Sequence, residues 1–239
     1  MLLDGVHLIG DAMAAGVRLR HAAVAADAAD RSELRPLVER LESSGIELVA
    51  ATAPVMAVLS PVRSSSPIVA IAERPAPDDR RLYAERSLVI VAVDVQDPGN
   101  MGAIVRVAEA GGASGVVAAG ACADPFGWKA LRGSMGSAVR LPVAIRHDPR
   151  DAIADARRHR RRVVATAPRG GRSLFEVDLT NAAAVLIGGE GAGLPDHLVA
   201  EADERVTIPM EAPVESLNTA VAAAVIVYEA RRQRMDIRR

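Results

Sequence analysis

The chain has 239 residues, half of them hydrophobic, and 29 Lys plus Arg against 30 Asp plus Glu give a formal net charge of −1. That is apolar sequence enough for one large domain or two small ones, and the charge taken alone argues against a strongly basic nucleic-acid binder. Two Phe, two Tyr and one Trp leave the core to Ala, Val, Leu and Ile and exclude base-stacking platforms as the main grip on any nucleic acid.

In chain order, "MLLDGVHLIGDAMAAG" carries Asp4 and no basic start, so it is not read as a signal peptide. "GVHLIGDAMAAG" (5–16) predicts a helix and "HAAVAA" (21–26) a strand. "SELRPLVERLESSG" (32–45) predicts a helix closed by Gly45, and "IELVAA" (46–51) and "PIVAIAE" (67–73) predict further strands. These make a small α/β unit. "ERPAPDDRRLYAERS" (73–87) is proline-rich and charged with no apolar period, which predicts a linker and a boundary near residue 80, dividing the chain into 1–78 and 79–239.

"LVIVAVDV" (88–95) is the β-branched run expected of a strand buried on both faces of a parallel sheet. "GVVAAG" (115–120), "RLPVAI" (140–145), "RVVATA" (162–167), "AAVLIG" (183–188) and "RVTIPM" (205–210) follow with helical segments between most of them, an α/β pattern. A last helix starts near 216 with Leu217, Val221, Ala224, Val225 and Tyr228 on one face. Its apolar run, "AVAAAVIVY" (220–228), is about half a membrane span, so no membrane role is expected. The single cysteine, Cys122, excludes an internal disulfide and offers no zinc-type ligand set; a reducing, cytoplasmic setting fits and no metal is expected. Cations cluster at "RRHRRR" (157–162) and "EARRQRMDIRR" (229–239), readable as RNA-facing charge or as solvated helix ends.

Three loops carry chemistry. In "QDPGNMGAIVRVAEAGGASGVV" (96–117), Asn100 is placed to cap a helix, Gly99 and Gly102 permit a tight turn, and Arg106 points away from the face shared by Ile104 and Ala108. Arg106 is then either a surface arginine or a functional one. "LIGGEGAGL" (186–194) is a glycine-rich loop after a buried strand, holding Glu190; it fails the dinucleotide fingerprint because Leu194 stands where a third glycine belongs. A ligand loop and a tight turn both remain open. In "IPMEAPVESLNTAVAAAVIVYEA" (208–230), Ser216 suits a helix cap, while the amide of Asn218 both donates and accepts.

Together, in this order and spacing, the three stretches resemble the three motifs of the SpoU/TrmH family of RNA ribose 2′-O-methyltransferases, over about residues 88–232. "DPFGWKALRGSMGSAVRLPV" (124–143) resembles the family's intermediate segment, and residues 2–72 resemble its ribosomal-protein-like substrate-binding domain. The resemblance implies an S-adenosylmethionine enzyme of the SPOUT class: a C-terminal α/β domain with a parallel sheet and a trefoil knot, a small N-terminal α/β RNA-binding domain, and a homodimer with a shared active site. By motif match the cofactor falls to Ile187, Gly188, Gly189, Glu190, Gly191, Ile208, Pro209, Met210, Ser216, Leu217 and Asn218. The reaction site falls to Asn100, Arg106, Glu190, Ser216 and Asn218, and RNA phosphates to Lys129, Arg132 and Arg140.

The family pattern sets Arg106 beside the target ribose, reaching the partner subunit's cofactor, with Glu190 either pairing with Arg106 or hydrogen-bonding the target. The implied substrate is ribosomal RNA ahead of transfer RNA. An RNA-binding relative without catalysis and a small-ligand or dinucleotide enzyme are the competing readings; the intact polar residues oppose the former and the failed fingerprint the latter. The chain departs from many relatives at Gly189, where they have Asn, and at Thr219-Ala220, where they have Val-Ser. It also begins at "LLDGVHLI", without the helix that many two-domain members carry before it.

Overall fold

The computed structural model describes residues 1–28, 31–62, 65–191 and 193–236. The first third of the chain forms β1 (Leu2–Asp4), α1 (Val6–Ala14), β2 (Leu19–Ala25), α2 (Arg35–Ser43), β3 (Glu47–Ala51), α3 (Ala53–Leu59) and β4 (Ile68–Ala72). The strands lie in the order β1-β4-β2-β3, with β4 antiparallel to β1 and β2, and β2 parallel to β3. Sequence patterning missed β1 and α3. β1 has three residues, too few for an alternation to register, and exists through its ladder to Val69, Ala70 and Ile71.

The expected linker is only partly without structure. Asp78 accepts a hydrogen bond from Arg81 N (3.1 Å) and caps a one-turn helix, α4 (Asp79–Leu82). That turn carries Leu82 and Tyr83 into the core, where Tyr83 stacks on His159 with ring centroids 4.3 Å apart. Burial, reinforced by nearby Asp155, pushes the Tyr83 phenol up to about 12.

The rest of the chain builds β5 (Leu88–Val93), α5 (Pro98–Gly111), β6 (Gly115–Ala119), α6 (Trp128–Ser134), α7 (Ser137–Arg140), β7 (Val143–Arg146), α8 (Pro149–Arg158) and β8 (Arg162–Thr166). It continues through β9 (Arg172–Ser173), β10 (Ala183–Gly188), α9 (Asp196–Glu201), β11 (Glu204–Thr207) and α10 (Thr219–Asp236). The seven strands run β7-β6-β5-β10-β8-β11-β9, and every pairing is parallel.

Period-two alternation divides the central strand between two cores. Leu88, Ile90 and Ala92 pack with Ile104, Val105 and Ala108 of α5 and Ala223, Ile226 and Val227 of α10. Val89, Val91 and Val93 pack with Ala152, Ile153 and Ala156 of α8 and with Leu198 of α9. Among the described residues no helix is long and apolar enough to cross a membrane.

Of the stripe expected on the last helix, Leu217, Val221 and Tyr228 face outward, while Ala224 and Val225 are partly buried, Val225 against the core. Ala220, Ala223, Ile226, Val227 and Ala230 are buried, while Val221 and Tyr228 are about half exposed. Gly102, expected to ease a turn, lies inside α5, where a Cβ would overlap the Ala130 carbonyl oxygen of α6. It therefore lets two helices touch by their backbones.

Arg140, expected to meet RNA phosphate, is engaged by carboxylates of its own chain. Its guanidinium donates to both Glu109 carboxylate oxygens (2.9 Å each) and pairs with Asp11 (2.8 Å), joining α5 and α7 to α1. Burial pushes the Glu109 carboxyl up, but hydrogen bonds from Arg140 and Ser137 outweigh it and hold the group below the usual range. A lowered carboxyl contributes stability above its unfolded value of about 4.3 and loses it as pH falls through the folded value. Glu109→Gln should thus cost roughly 0.5–1 kcal/mol near neutral pH, allowing for solvent screening. In urea titrations the deficit relative to wild type should shrink on acidification; a deficit constant down to pH about 3 would exclude this ion pair as its source.

Candidate active site

Strands β8, β10 and β11 end side by side, and in open parallel sheets ligand crevices form outside such carboxyl ends, where the connections diverge. Here they leave a cleft of 380 Å³. Thr166, Ala167 and Pro168 line it at the end of β8, Ile187 to Gly191 with Gly193 and Leu194 at the end of β10, Ile208 and Met210 behind β11, and Ser216, Leu217, Asn218, Thr219 and Ala222 at the start of α10. Every residue the motif match assigns to the cofactor is on this wall except Pro209. Pro209 is exposed and lacks the N–H that would extend β11 beyond Thr207. Thr166, Ala167, Pro168, Gly193, Leu194, Thr219 and Ala222 line the cleft but were not among the residues expected there. The signal for the first three was present in "RVVATA", whose carboxyl end the crevice rule would have marked.

Backbone contact shapes the glycine loop. A Cβ on Gly188 would overlap the backbone of Gly193 and Leu194, and one on Gly189 would overlap the Asp94 carbonyl at the end of β5. The departure at Gly189 is therefore a close approach, with no room for an Asn side chain in this arrangement. Thr219 Oγ1 donates to the Gly188 carbonyl (3.1 Å), a bond that Val, common at this position in relatives, has no hydroxyl to make.

One relay of amides joins the three loops. Asn218 Oδ1 accepts from the backbone N–H groups of Ala220 (2.9 Å) and Val221 (3.2 Å), so Asn218 caps α10, the role expected of Ser216. Its oxygen being so engaged, Asn218 Nδ2 points outward and donates to Asn100 Oδ1 (3.1 Å). Asn100 Nδ2 in turn donates to Glu190 Oε1. Asn100 does not cap α5; Asp97 does, accepting from Asn100 N at 2.7 Å. Ser216 and Leu217 line the cleft beside this relay and are exposed.

Arg106 stands apart from it. Six residues beyond Asn100, it lies about 9 Å further along the helix and about 240° round it. It is exposed and, among the described residues, makes neither a hydrogen bond nor an ion pair. Within one chain, then, Glu190 is bonded to Asn100 and not to Arg106. On α6, Arg132 is likewise exposed without a partner, and the Lys129 ammonium lies 5.4 Å from the Trp128 ring centroid.

The arginine clusters are largely structural. Arg157 donates to the Glu201 carbonyl, Arg158 to Asp155, Arg161 to the Tyr83 and Glu85 carbonyls, and Arg162 to Glu204. Arg234 binds the carbonyls of Arg86, Leu179 and Asn181. Residues 237–239 of the second cluster lie outside the described residues.

Residues 87–228 match the sequence model of the SpoU rRNA Methylase family. The 23S rRNA (guanosine(2553)-2′-O)-methyltransferase of Bacillus subtilis (strain 168) is 30% identical over 230 residues, spanning 96% of this chain and 88% of that protein. The crystal structure of the SpoU methyltransferase AviRb from Streptomyces viridochromogenes in complex with AdoMet is similar at a TM-score of 0.88 and 32% identity, over 98% of this chain and 90% of that one. An AdoMet-bound rRNA methyltransferase from Sinorhizobium meliloti is similar at a TM-score of 0.85 and 29% identity, over 97% and 86%. The likeness thus extends over both sheets.

The relay can be tested without any ligand. Asn218→Ala should lose about 1 kcal/mol of stability with its cap. A double-mutant cycle with Asn100→Ala, read by urea unfolding, should give a coupling of at least about 0.5 kcal/mol. A coupling of zero would show that the two amides do not hold each other.

Proposed function

This chain belongs to the SpoU rRNA Methylase family, and we propose that it methylates a ribose 2′-hydroxyl of ribosomal RNA with S-adenosylmethionine as methyl donor. The observation that carries this reading is the meeting of the second and third motif loops at one cleft, with the first joined to them by the hydrogen bonds of Asn100 to Asn218 and Glu190. The cleft suits the cofactor: Ile187, Leu194, Ile208, Met210 and Ala222 offer apolar wall to an adenine, and Glu190 and the strand-end backbone offer polar contacts to the rest. When bound, S-adenosylmethionine supplies a methyl group on a positively charged sulfur.

The protein's task is to bring the hydroxyl in line and hold it there, for which positioning supplies much of the acceleration. The relay holds Asn100 and Glu190 at the cleft mouth, where they contact the target nucleotide. Ser216 and Asn218 hold its ribose or phosphate. Arg106 remains protonated, because a guanidinium is not ordinarily deprotonated in proteins. It binds the neighbouring phosphate, orients the hydroxyl and stabilises the negative charge that grows on the oxygen.

In this reading residues 1–78 grip RNA, residues 79–239 carry the chemistry, and Lys129 and Arg132 meet phosphates. The knot belongs to the same reading. It is supported by the path of the chain, which leaves β10 for β11 beyond β8 and returns past the glycine loop to α10 against α5. A reducing, cytoplasmic setting accords with the unpaired Cys122.

The working unit is a homodimer. Val221 and Tyr228 on α10 and Leu217 just before it form an exposed apolar strip, continuous with the cleft through Leu217, and residues 211–218 are exposed throughout. An isologous contact along that stripe covers both and brings Arg106 of one subunit to the cleft of its partner.

Calorimetry should show binding of S-adenosylhomocysteine and none of NAD; the reverse preference would sink the assignment. Arg106→Ala should abolish most methylation of ribosomal RNA while folding and S-adenosylhomocysteine affinity stay near wild type. Arg106→Lys keeps the charge without the planar fork and should rescue poorly. Light scattering at micromolar concentration should give a dimer. A fully active monomer would rule out the shared site.

A further inference from the structure

A second cleft, of 300 Å³, opens at the seam between the two sheets' layers. Asp4, His7 and Asp11 of the β1–α1 region stand on one side, and Trp128, Arg132 and Met135 of α6 and its end on the other. We propose that this cleft holds a second nucleotide of the RNA substrate, next to the one being methylated, with its base against Trp128 and its phosphate on Arg132. The proposal rests on the RNA methyltransferase reading and adds a binding site to it.

The chemistry of the walls carries it. Trp128 is the chain's one tryptophan, and it stands half-buried at a cleft while Tyr83 and Phe126 are buried in the core. Arg132 is exposed and, among the described residues, has no hydrogen bond or ion pair. Neither carboxylate on the opposite wall pairs with it: Asp11 is in an ion pair with Arg140 (2.8 Å), and Asp4, which keeps its charge, accepts a hydrogen bond from Ser60 (3.0 Å). The Lys129 ammonium lies over one face of the indole, 5.4 Å from its centroid, a cation–π contact that adds positive charge here and leaves the other face for a base. His7, exposed, offers a ring nitrogen, and Met135, 59% exposed with φ +50°, presents a soft apolar edge at the rim. An aromatic ring next to an unpaired guanidinium is how single-stranded RNA is gripped, by stacking and phosphate contact. A cleft for a neutral apolar ligand would have no use for the cations.

Position ties the cleft to the reaction. α6 forms one wall of the cleft and packs backbone to backbone on α5 through Gly102, Ala130 and Gly133. α5 carries Asn100 and Arg106. A nucleotide seated at the seam is therefore held in rigid relation to the arginine that meets the target ribose.

Because Trp128 is the only tryptophan, its emission reports on this cleft alone. The full chain, saturated with S-adenosylhomocysteine, is titrated with a single-stranded hexaadenylate while indole fluorescence and the anisotropy of labelled RNA are followed. The expected result is saturable quenching with the same midpoint as the anisotropy. Arg132→Gln should weaken binding about tenfold, as loss of one charge-assisted contact does. It should also lower the slope of log K against log salt by about 0.7. Trp128→Leu should weaken binding while S-adenosylhomocysteine affinity is retained. Absence of hexaadenylate binding, binding that leaves the emission unchanged, or an Arg132→Gln variant with wild-type affinity and salt slope overturns the proposal. Failure of the methyltransferase reading is seen separately, as loss of S-adenosylhomocysteine binding in the wild-type calorimetry.

Discussion

Asn218 closes the N-terminus of α10 with its side-chain oxygen, and the rest of the site is arranged around that contact. Two backbone N–H groups at a helix start need an acceptor, and once the amide oxygen supplies it the amide nitrogen has one direction left. It meets Asn100, whose own nitrogen then turns to Glu190. A need of the backbone is thereby converted into a fixed order of donors and acceptors across three loops far apart in the chain. The same helix start carries Thr219, whose hydroxyl binds the carbonyl at the end of β10, so the cleft floor and the relay share one anchor.

Close backbone approach provides the stiffness that such a relay requires. Gly102 seats α6 on α5, and Gly189 seats the glycine loop on the end of β5 at Asp94. With few aromatic residues, the core is packed by small and branched side chains, and glycine lets elements come near enough to need nothing larger. The loops that line the cleft are therefore carried on rigid supports, while the 211–218 segment stays exposed.

Arginine is used in two distinct ways. Arg140, Arg146, Arg158 and Arg162 are paired with carboxylates, and Arg157, Arg161 and Arg234 reach backbone carbonyls at element ends. These hold the fold together. Arg106 and Arg132, on two helices that touch, are exposed and have no partner among the described residues, so their charge is unspent within the fold. A near-neutral chain is thus compatible with an RNA substrate.

By itself, the sequence determined the parallel sheet, because "LVIVAVDV", "GVVAAG" and "AAVLIG" are apolar on both faces and can only be buried between helices. It also determined the family and nearly the whole lining of the cleft, because those residues lie in short contiguous loops whose order and spacing are themselves the signal. Tertiary structure alone decided which polar group meets which. Asn218 rather than Ser216 became the cap, Glu190 met Asn100 rather than Arg106, and Arg140 went to Glu109 and Asp11. It also decided that Leu217, Val221 and Tyr228 face outward, since a helix with apolar residues on several faces carries no mark of which one the sheet will take. Periodicity records burial along one element, whereas the partner of a side chain depends on what the fold brings opposite it from elsewhere in the chain.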